Sequence, residues 1–208
     1  MTVTEISASP DRRGRYRVSF SGGETMKLSP ALIADHGLYT GRALDESETE
    51  ALLRDVKKAE AKQRAVNIIS ATTVTGRELS DRLRRRGASD ADADEAVRWL
   101  TELNLLDDAK TARQIVERGV RRGYGERRIR QMLYEKKVPR AHWEAALSVL
   151  PPPEGPIDDY LRANPFDAAD PKQRKRAQDA LIRRGFDWND IKSGLRRFGG
   201  GADALEEE

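Results

Sequence analysis

The chain contains no cysteine, only two histidines, and few aromatics, which make up 6% of its 208 residues. Without cysteine there can be no disulfide framework, thiolate zinc site or thiol nucleophile. His36 lies in an irregular stretch and His142 beside Trp143 in a basic one, and neither stands in a motif with a nucleophile. No apolar run reaches the length of a membrane span or a signal-peptide core, and Met1 to Pro10 lacks a basic n-region. A cytoplasmic chain with no membrane association is expected. Gly123-x-Gly125 is not followed by Gly-Lys-Ser/Thr, so it is no phosphate loop. Asp90-x-Asp92-x-Asp94 opens like a calcium loop, but the template then needs Gly and a terminal carboxylate where Glu95 and Thr101 stand. These acids instead suit the first turn of a helix capped by Ser89, where negative charge complements the dipole. The reading is therefore of a chain with no catalytic residues, no cofactor and no metal.

What is present is charge, sorted along the chain. The net charge is only +3, yet Arg113 to Arg140 holds ten basic residues against three acidic, and Lys172 to Arg197 nine against three. Ser89 to Asp108 carries seven acidic residues and one Arg, and the tail adds Asp203, Glu206, Glu207 and Glu208. Basic blocks of this kind suit a polyanion or an acidic protein groove, and equally a solvated helix face.

The first 30 residues alternate polar and apolar from Arg15 to Phe20 and again from Thr25 to Ser29, around a Ser21-Gly22-Gly23-Glu24 turn. This predicts a β-hairpin that must pack on the helices after it, since a lone hairpin is not stable. Ser47-x-x-Glu50 is read as the capping box of a helix running to about Ala71.

From there the chain repeats at roughly 50 residues. Leu79-x3-Leu83-x4-Ala88 aligns with Ile129-x3-Leu133-x4-Val138 and with Ala177-x3-Leu181-x4-Phe186. Ala93, Trp143 and Ile191 then coincide, as do Val97, Leu147 and Leu195, and Leu100, Leu150 and Phe198. Every aligned position is apolar. The spacing predicts a middle helix, a turn at Gly87, Lys137 or Gly185, and a third helix, each preceded by a first helix that includes Ala61 to Ile69, Ala112 to Val120 or Ile157 to Leu161. Thr75-x-x-Glu78 and Asp170-Pro171-x-Gln173 cap two of the middle helices, and Asp107 or Asp108 caps the helix after the loop while Leu105 and Leu106 enter the core. Pro151 to Pro153 and Gly155-Pro156 form a linker that leaves the angle of the third copy open.

The expected fold is all-α: tandem three-helix repeats in an elongated, solenoid-like array with a small N-terminal β-hairpin extension. The divisions are 1–45 for the extension, 46–105, 106–150 and 151–199 for the three repeats, and 200–208 for a flexible acidic tail. Trp143 belongs to the core, and Trp99 and Trp188 are open to either a surface-anchor or a packing role. On the middle helices, Arg77, Arg127 and Lys175 lie about 140° from the core direction at 100° per residue, which makes a repeated basic stripe. Arg84, Arg85, Arg121, Arg122, Arg128 and Arg130 surround it. Arg86, Lys136 and Arg184 are basic in all copies too, at helix C-termini where the dipole explains them.

In order and spacing, Glu78-Leu79-x3-Leu83-x3-Gly87, Leu103-x-Leu105-Leu106-Asp107-Asp108-x3-Ala112, Arg118-Gly119-x3-Gly123-x-Gly125-x2-Arg128-Ile129-x3-Leu133 and Leu181-x-Arg183-Arg184-Gly185-Phe186 together resemble the RecX family, bacterial modulators of the RecA recombinase. The resemblance spans residues 59 to 198 and departs from the family pattern at Asn104, where Gly is usual, and at Thr111, where an aromatic is common. It implies a monomeric array that docks along the RecA filament on single-stranded DNA, with weak duplex binding, and restrains its ATPase, recombinase and coprotease activities. The basic stripe is then the surface for filament or strand. A helix-turn-helix transcription regulator is the alternative, but the would-be recognition helix of the first copy opens with Asp90, Asp92, Asp94 and Glu95, which phosphates would repel. An enzyme acting on nucleic acid is disfavoured by the missing His, Cys and metal constellations.

Overall fold

The alternation before residue 30 becomes strands β2 (Tyr16–Phe20) and β3 (Thr25–Leu28), joined by the expected turn with Gly23 at φ +84°. The computed structural model describes residues 1–11 and 13–199, so the acidic tail expected at 200–208 lies outside the described residues. The extension is more than a hairpin. A third strand, β1 (Val3–Ile6), pairs antiparallel with β2, giving the order β1-β2-β3. It is short, and its register slips between Val3 and Glu5, so four residues show no clean alternation. A helix, α1 (Pro30–Asp35), follows, with Ser29 Oγ accepting from the Leu32 amide. As expected, the sheet is covered by helix: Val3, Val18, Phe20 and Leu28 bury their side chains with Leu38, Leu44 and Leu52.

Leu52 belongs to the 26-residue helix α2 (Glu46–Ala71), whose end is where the sequence places it. Its start is not. The reciprocal capping bonds join Asp45 and Glu48, with the Glu48 amide donating to Asp45 Oδ1 and the Asp45 amide to Glu48 Oε2. Ser47-x-x-Glu50 is therefore not the capping box. Buried Leu44 brings the chain into the helix two residues earlier, and the Ser47 hydroxyl instead donates to Asp45.

The repeating pattern forms three sets of helices: α2, α3 (Gly76–Arg84) and α4 (Asp90–Glu102); α5 (Asp108–Arg121), α6 (Glu126–Glu135) and α7 (Trp143–Leu147), the last entered through a 3₁₀ turn at Arg140–His142; then α8 (Glu154–Ala163), α9 (Pro171–Arg184) and α10 (Trp188–Phe198). The chain divides into two compact units. One comprises Met1–Ala71 with Leu79–Leu103, and the other Thr72–Glu78 with Asn104 onward. In the first, α2 packs on α4, burying Ala61, Ala65, Ile68, Ala93, Ala96 and Leu100. In the second, Ala112, Ile115, Val116, Ile129, Leu133, Val138, Trp143 and Leu147 make one core, and Ile157, Leu161, Ala177, Leu181, Phe186, Ile191 and Leu195 another. At roughly 25 cal/mol per Å² of apolar surface removed from water, such aliphatic clusters are the main stabilising term in each helix set. Trp143 donates its Nε1–H to the Val138 carbonyl, so its one polar group is satisfied inside the core.

Local signals elsewhere hold with one correction. Ser89 and Asp170 cap α4 and α9 through the Asp92 and Lys172 amides, and Asp107 caps α5 through the Lys110 amide. Leu106 is buried, but Leu105 is 58% exposed and does not enter the core. Asn104 before it adopts φ +55°, the left-handed region that glycine enters most readily, and this turn swings Leu105 outward.

Candidate functional site

Arg77 and Arg127 sit in the first turns of α3 and α6, and the starts of those two helices are built into junctions. Thr75 Oγ1 accepts from the Glu78 amide and donates to the carbonyl of Lys136 at the end of α6, 2.9 Å away. Fifty residues on, the Gly125 amide donates to the Arg184 carbonyl at the end of α9 at 2.8 Å, and the Arg127 amide to the Gly185 carbonyl at 3.1 Å. At each junction the positive start of one middle helix meets the negative end of the middle helix in the following copy. The angle that the proline linker leaves open is thus tied down by two backbone bonds.

Charged side chains complete both junctions. Glu78 receives Lys136 Nζ at 3.5 Å, and the Asp108 carboxylate accepts from the Gly76 amide at 2.9 Å. At the second junction, Arg127 Nη2 bonds Asp187 at 2.7 Å, while Arg184 Nη1 donates to the Arg122 carbonyl at 3.0 Å and its guanidinium lies 4.6 Å from the Tyr160 ring. Arg184 and Lys136 therefore do more than complement a dipole. Each holds neighbouring helices together. This is a role the sequence pattern showed only as a basic residue recurring in every copy.

The structure brings Arg121 and Arg122, at the end of α5, to the same turn as Arg127 and Arg128, in the first turn of α6. All four are exposed. Arg121 lies 3.9 Å from Glu117, and Arg128 3.9 Å from Glu135. Arg130, one turn along, is held by Glu126 at 2.6 Å and Glu144 at 3.6 Å, which push its pKa further up, Glu126 contributing most. Lys175 is exposed in the second turn of α9, about 15 Å of helix from Gly185 at 1.5 Å per residue. Arg77 is exposed at the start of α3, beside the Thr75 junction at the opposite end of α6. Arg84 and Arg85 belong to the other unit. Arg84 is bound by Asp90 at 2.7 Å and Asp94 at 3.2 Å, and Arg85 donates to the Asp81 carbonyl.

A cleft of about 290 Å³ opens beside the second junction, between the linker prolines and Arg127, Arg130, Phe186 and Asp190. Burial and the nearby Asp187 and Glu154 raise the pKa of Asp190. Among the described residues no group of three His, Asp or Glu side chains is arranged to hold a metal ion. No described helix is long and apolar enough to cross a membrane. Of the two open tryptophans, Trp99 is half-buried with Lys62 5.3 Å from its ring, and Trp188 is 48% exposed.

Comparison with known proteins bears on these features. The sequence model for RecX, second three-helix domain, matches residues 107–147, the segment that spans α5 to α7. A 98-residue stretch is 34% identical to Regulatory protein RecX of Vibrio parahaemolyticus, covering 47% of this chain and 63% of that one, so the chain spans less than two thirds of that relative. Over 140 residues it is 32% identical to Regulatory protein RecX of Stenotrophomonas maltophilia, 64% of this chain and 84% of that protein. A crystal structure of regulatory protein RecX shares the fold with a TM-score of 0.71 at 19% identity, over 93% of this chain and 98% of that one. With its sequence motifs, its three-helix sets and these relatives in agreement, the chain belongs to the RecX family.

Proposed function

We propose that this chain is a cytoplasmic monomer that binds the RecA filament on single-stranded DNA and restrains its ATPase, recombinase and coprotease activities. Membership of the RecX family is the observation that carries the reading. The concentration of arginines at the α5–α6 turn supports it, because a filament offers both DNA phosphates and acidic protein side chains. The chain itself hydrolyses no nucleotide in this reading, and its surface acts by occupying the filament. The cations assigned to binding are Arg77, Arg84, Arg85, Arg121, Arg122, Arg127, Arg128, Arg130 and Lys175.

The test is DNA-dependent ATP hydrolysis by RecA on single-stranded DNA with rising amounts of this chain. Turnover is expected to fall with increasing dose, and the chain without RecA to release no phosphate. RecA turnover unchanged at saturating amounts would refute the reading.

A further inference from the structure

The cleft of about 290 Å³ beside the second junction lies wholly within the second unit, and its charges do not balance. Leu150, Pro151, Pro153, Pro156, Tyr124 and Phe186 make its apolar lining, and Glu126, Arg127, Arg130, Asp187 and Asp190 its charged one. Both arginines are already held, Arg127 by Asp187 at 2.7 Å and Arg130 by Glu126 at 2.6 Å. Three carboxylates against two guanidiniums leave one over, and it is Asp190. This residue is half-buried in the first turn of α10 and makes no hydrogen bond or ion pair among the described residues. Removal from water, then Asp187 and Glu154, push its pKa above the ordinary carboxylate value, as happens to an acid that lacks a counter-charge. In a chain of net charge +3 the cleft is locally negative.

A phosphate is the wrong guest for a surplus carboxylate, and the volume is at the low end for small-molecule sites. The cleft fits one cationic side chain with a flat or apolar body. A lysine ammonium is compact and strongly hydrated. An arginine guanidinium is flat and weakly hydrated, donates two N–H groups to one carboxylate and lies against rings. The chain itself uses that packing twice nearby, with Arg184 and Arg140 each 4.6 Å from the rings of Tyr160 and Trp143. Next to the lining in sequence stand two exposed apolar residues, Val149 before Leu150 at 58% and Trp188 after Asp187 at 48%. A free amino acid would leave both in water, whereas a protein surface around the arginine would cover them. We infer that the cleft seats an arginine side chain of a protein partner, its guanidinium on Asp190, its stem against the prolines and Phe186, and Val149 and Trp188 covered at the rim. In the regulatory reading that partner is the protein of the filament, and the inference rests on that reading for the partner's identity only.

The experiment titrates the full chain with N-acetylarginine amide and with its uncharged isostere, N-acetylcitrulline amide, following backbone amide NMR signals of wild type and Asp190→Asn. Circular dichroism checks that the variant is folded. The arginine probe is expected to shift the signals of residues 185–191, and the citrulline probe to leave them in place. Asp190→Asn is expected to bind the arginine probe roughly tenfold more weakly, because a charge-assisted pair of hydrogen bonds is lost. In the RecA ATPase assay the variant is expected to need about tenfold more protein for the same restraint.

Equal shifts by the two probes overturn the inference, as do shifts by the arginine probe that fall only outside the cleft. So does an Asp190→Asn chain that binds the arginine probe as wild type does. If wild type restrains RecA and Asp190→Asn restrains it equally, the cleft takes no part in docking, and the inference fails while the regulatory reading stands. If wild type binds the arginine probe through Asp190 without restraining RecA, the regulatory reading fails and the assignment of the cleft to an arginine holds.

Discussion

The two junctions at which one middle helix begins against the end of another make the same connection with different chemistry. At the first, a side chain bridges the gap: Thr75, fully buried, caps its own helix and reaches the Lys136 carbonyl. At the second, Gly125 and Gly185 have no side chains, and the backbones bond directly. A Cβ on Gly125 would lie 2.5 Å from the Gly185 carbonyl oxygen, and one on Gly185 2.3 Å from the Arg128 amide nitrogen. The repeat thus specifies where a donor must stand, not which group supplies it. A hydroxyl reaching out leaves room for Lys137 in the left-handed turn at φ +53°, whereas backbone-to-backbone approach admits only glycine.

Gly185→Ala puts this contrast to its most severe test. It combines a left-handed backbone with a steric conflict, and it should destabilise the chain by about 2–4 kcal/mol. The control is Gly87→Ala at the equivalent turn of the first copy, where φ is +88° but nothing lies within 4 Å of the added methyl. That variant should lose only about 1 kcal/mol, from the backbone alone. Urea unfolding followed by circular dichroism compares the two, and equal losses would show that close approach at Gly185 is not a constraint.

At the side-chain junction the expected effect is smaller. Thr75→Ala removes a helix cap and leaves the Lys136 carbonyl without its hydroxyl donor, for a loss of about 1–2 kcal/mol. Thr75→Ser should recover most of it in the same unfolding measurement. A Thr75→Ala chain as stable as wild type would make the hydroxyl dispensable.

The smallest effect should be a gain. Lys137→Gly relieves the left-handed strain of a residue with a Cβ, and a rise in melting temperature corresponding to about 0.5–1 kcal/mol is expected. A fall would mean that what the Lys137 side chain contributes outweighs that strain.

Elements governed by neighbours in sequence are legible in the residues themselves. The β2–β3 hairpin, the end of α2, and the caps at Thr75, Ser89, Asp107 and Asp170 all follow from interactions within a few residues. So does the choice of buried positions on the middle helices, because a period of 3.6 residues marks the inward face. The capping box of α2 is different, because Asp45-x-x-Glu48 and Ser47-x-x-Glu50 overlap and both satisfy the pattern. Burial of Leu44, a tertiary fact, selects the first. Strand β1 escapes sequence reasoning for a related reason: its pairing with β2 is what makes it a strand, and its four residues carry little signal alone.

The candidate site divides in the same way. That Arg77, Arg127 and Lys175 are exposed follows from helical phase. That Arg127 is shared with Asp187, sixty residues away, does not, nor does the capture of the Arg122 carbonyl by Arg184. Three helical copies, their inward faces and a net basic character are written into the chain locally, because hydrophobic period and charge are properties of consecutive residues. Which cations are engaged, which glycines are indispensable and which carboxylate is left over are settled only on folding, because each depends on groups that meet across one or more helices.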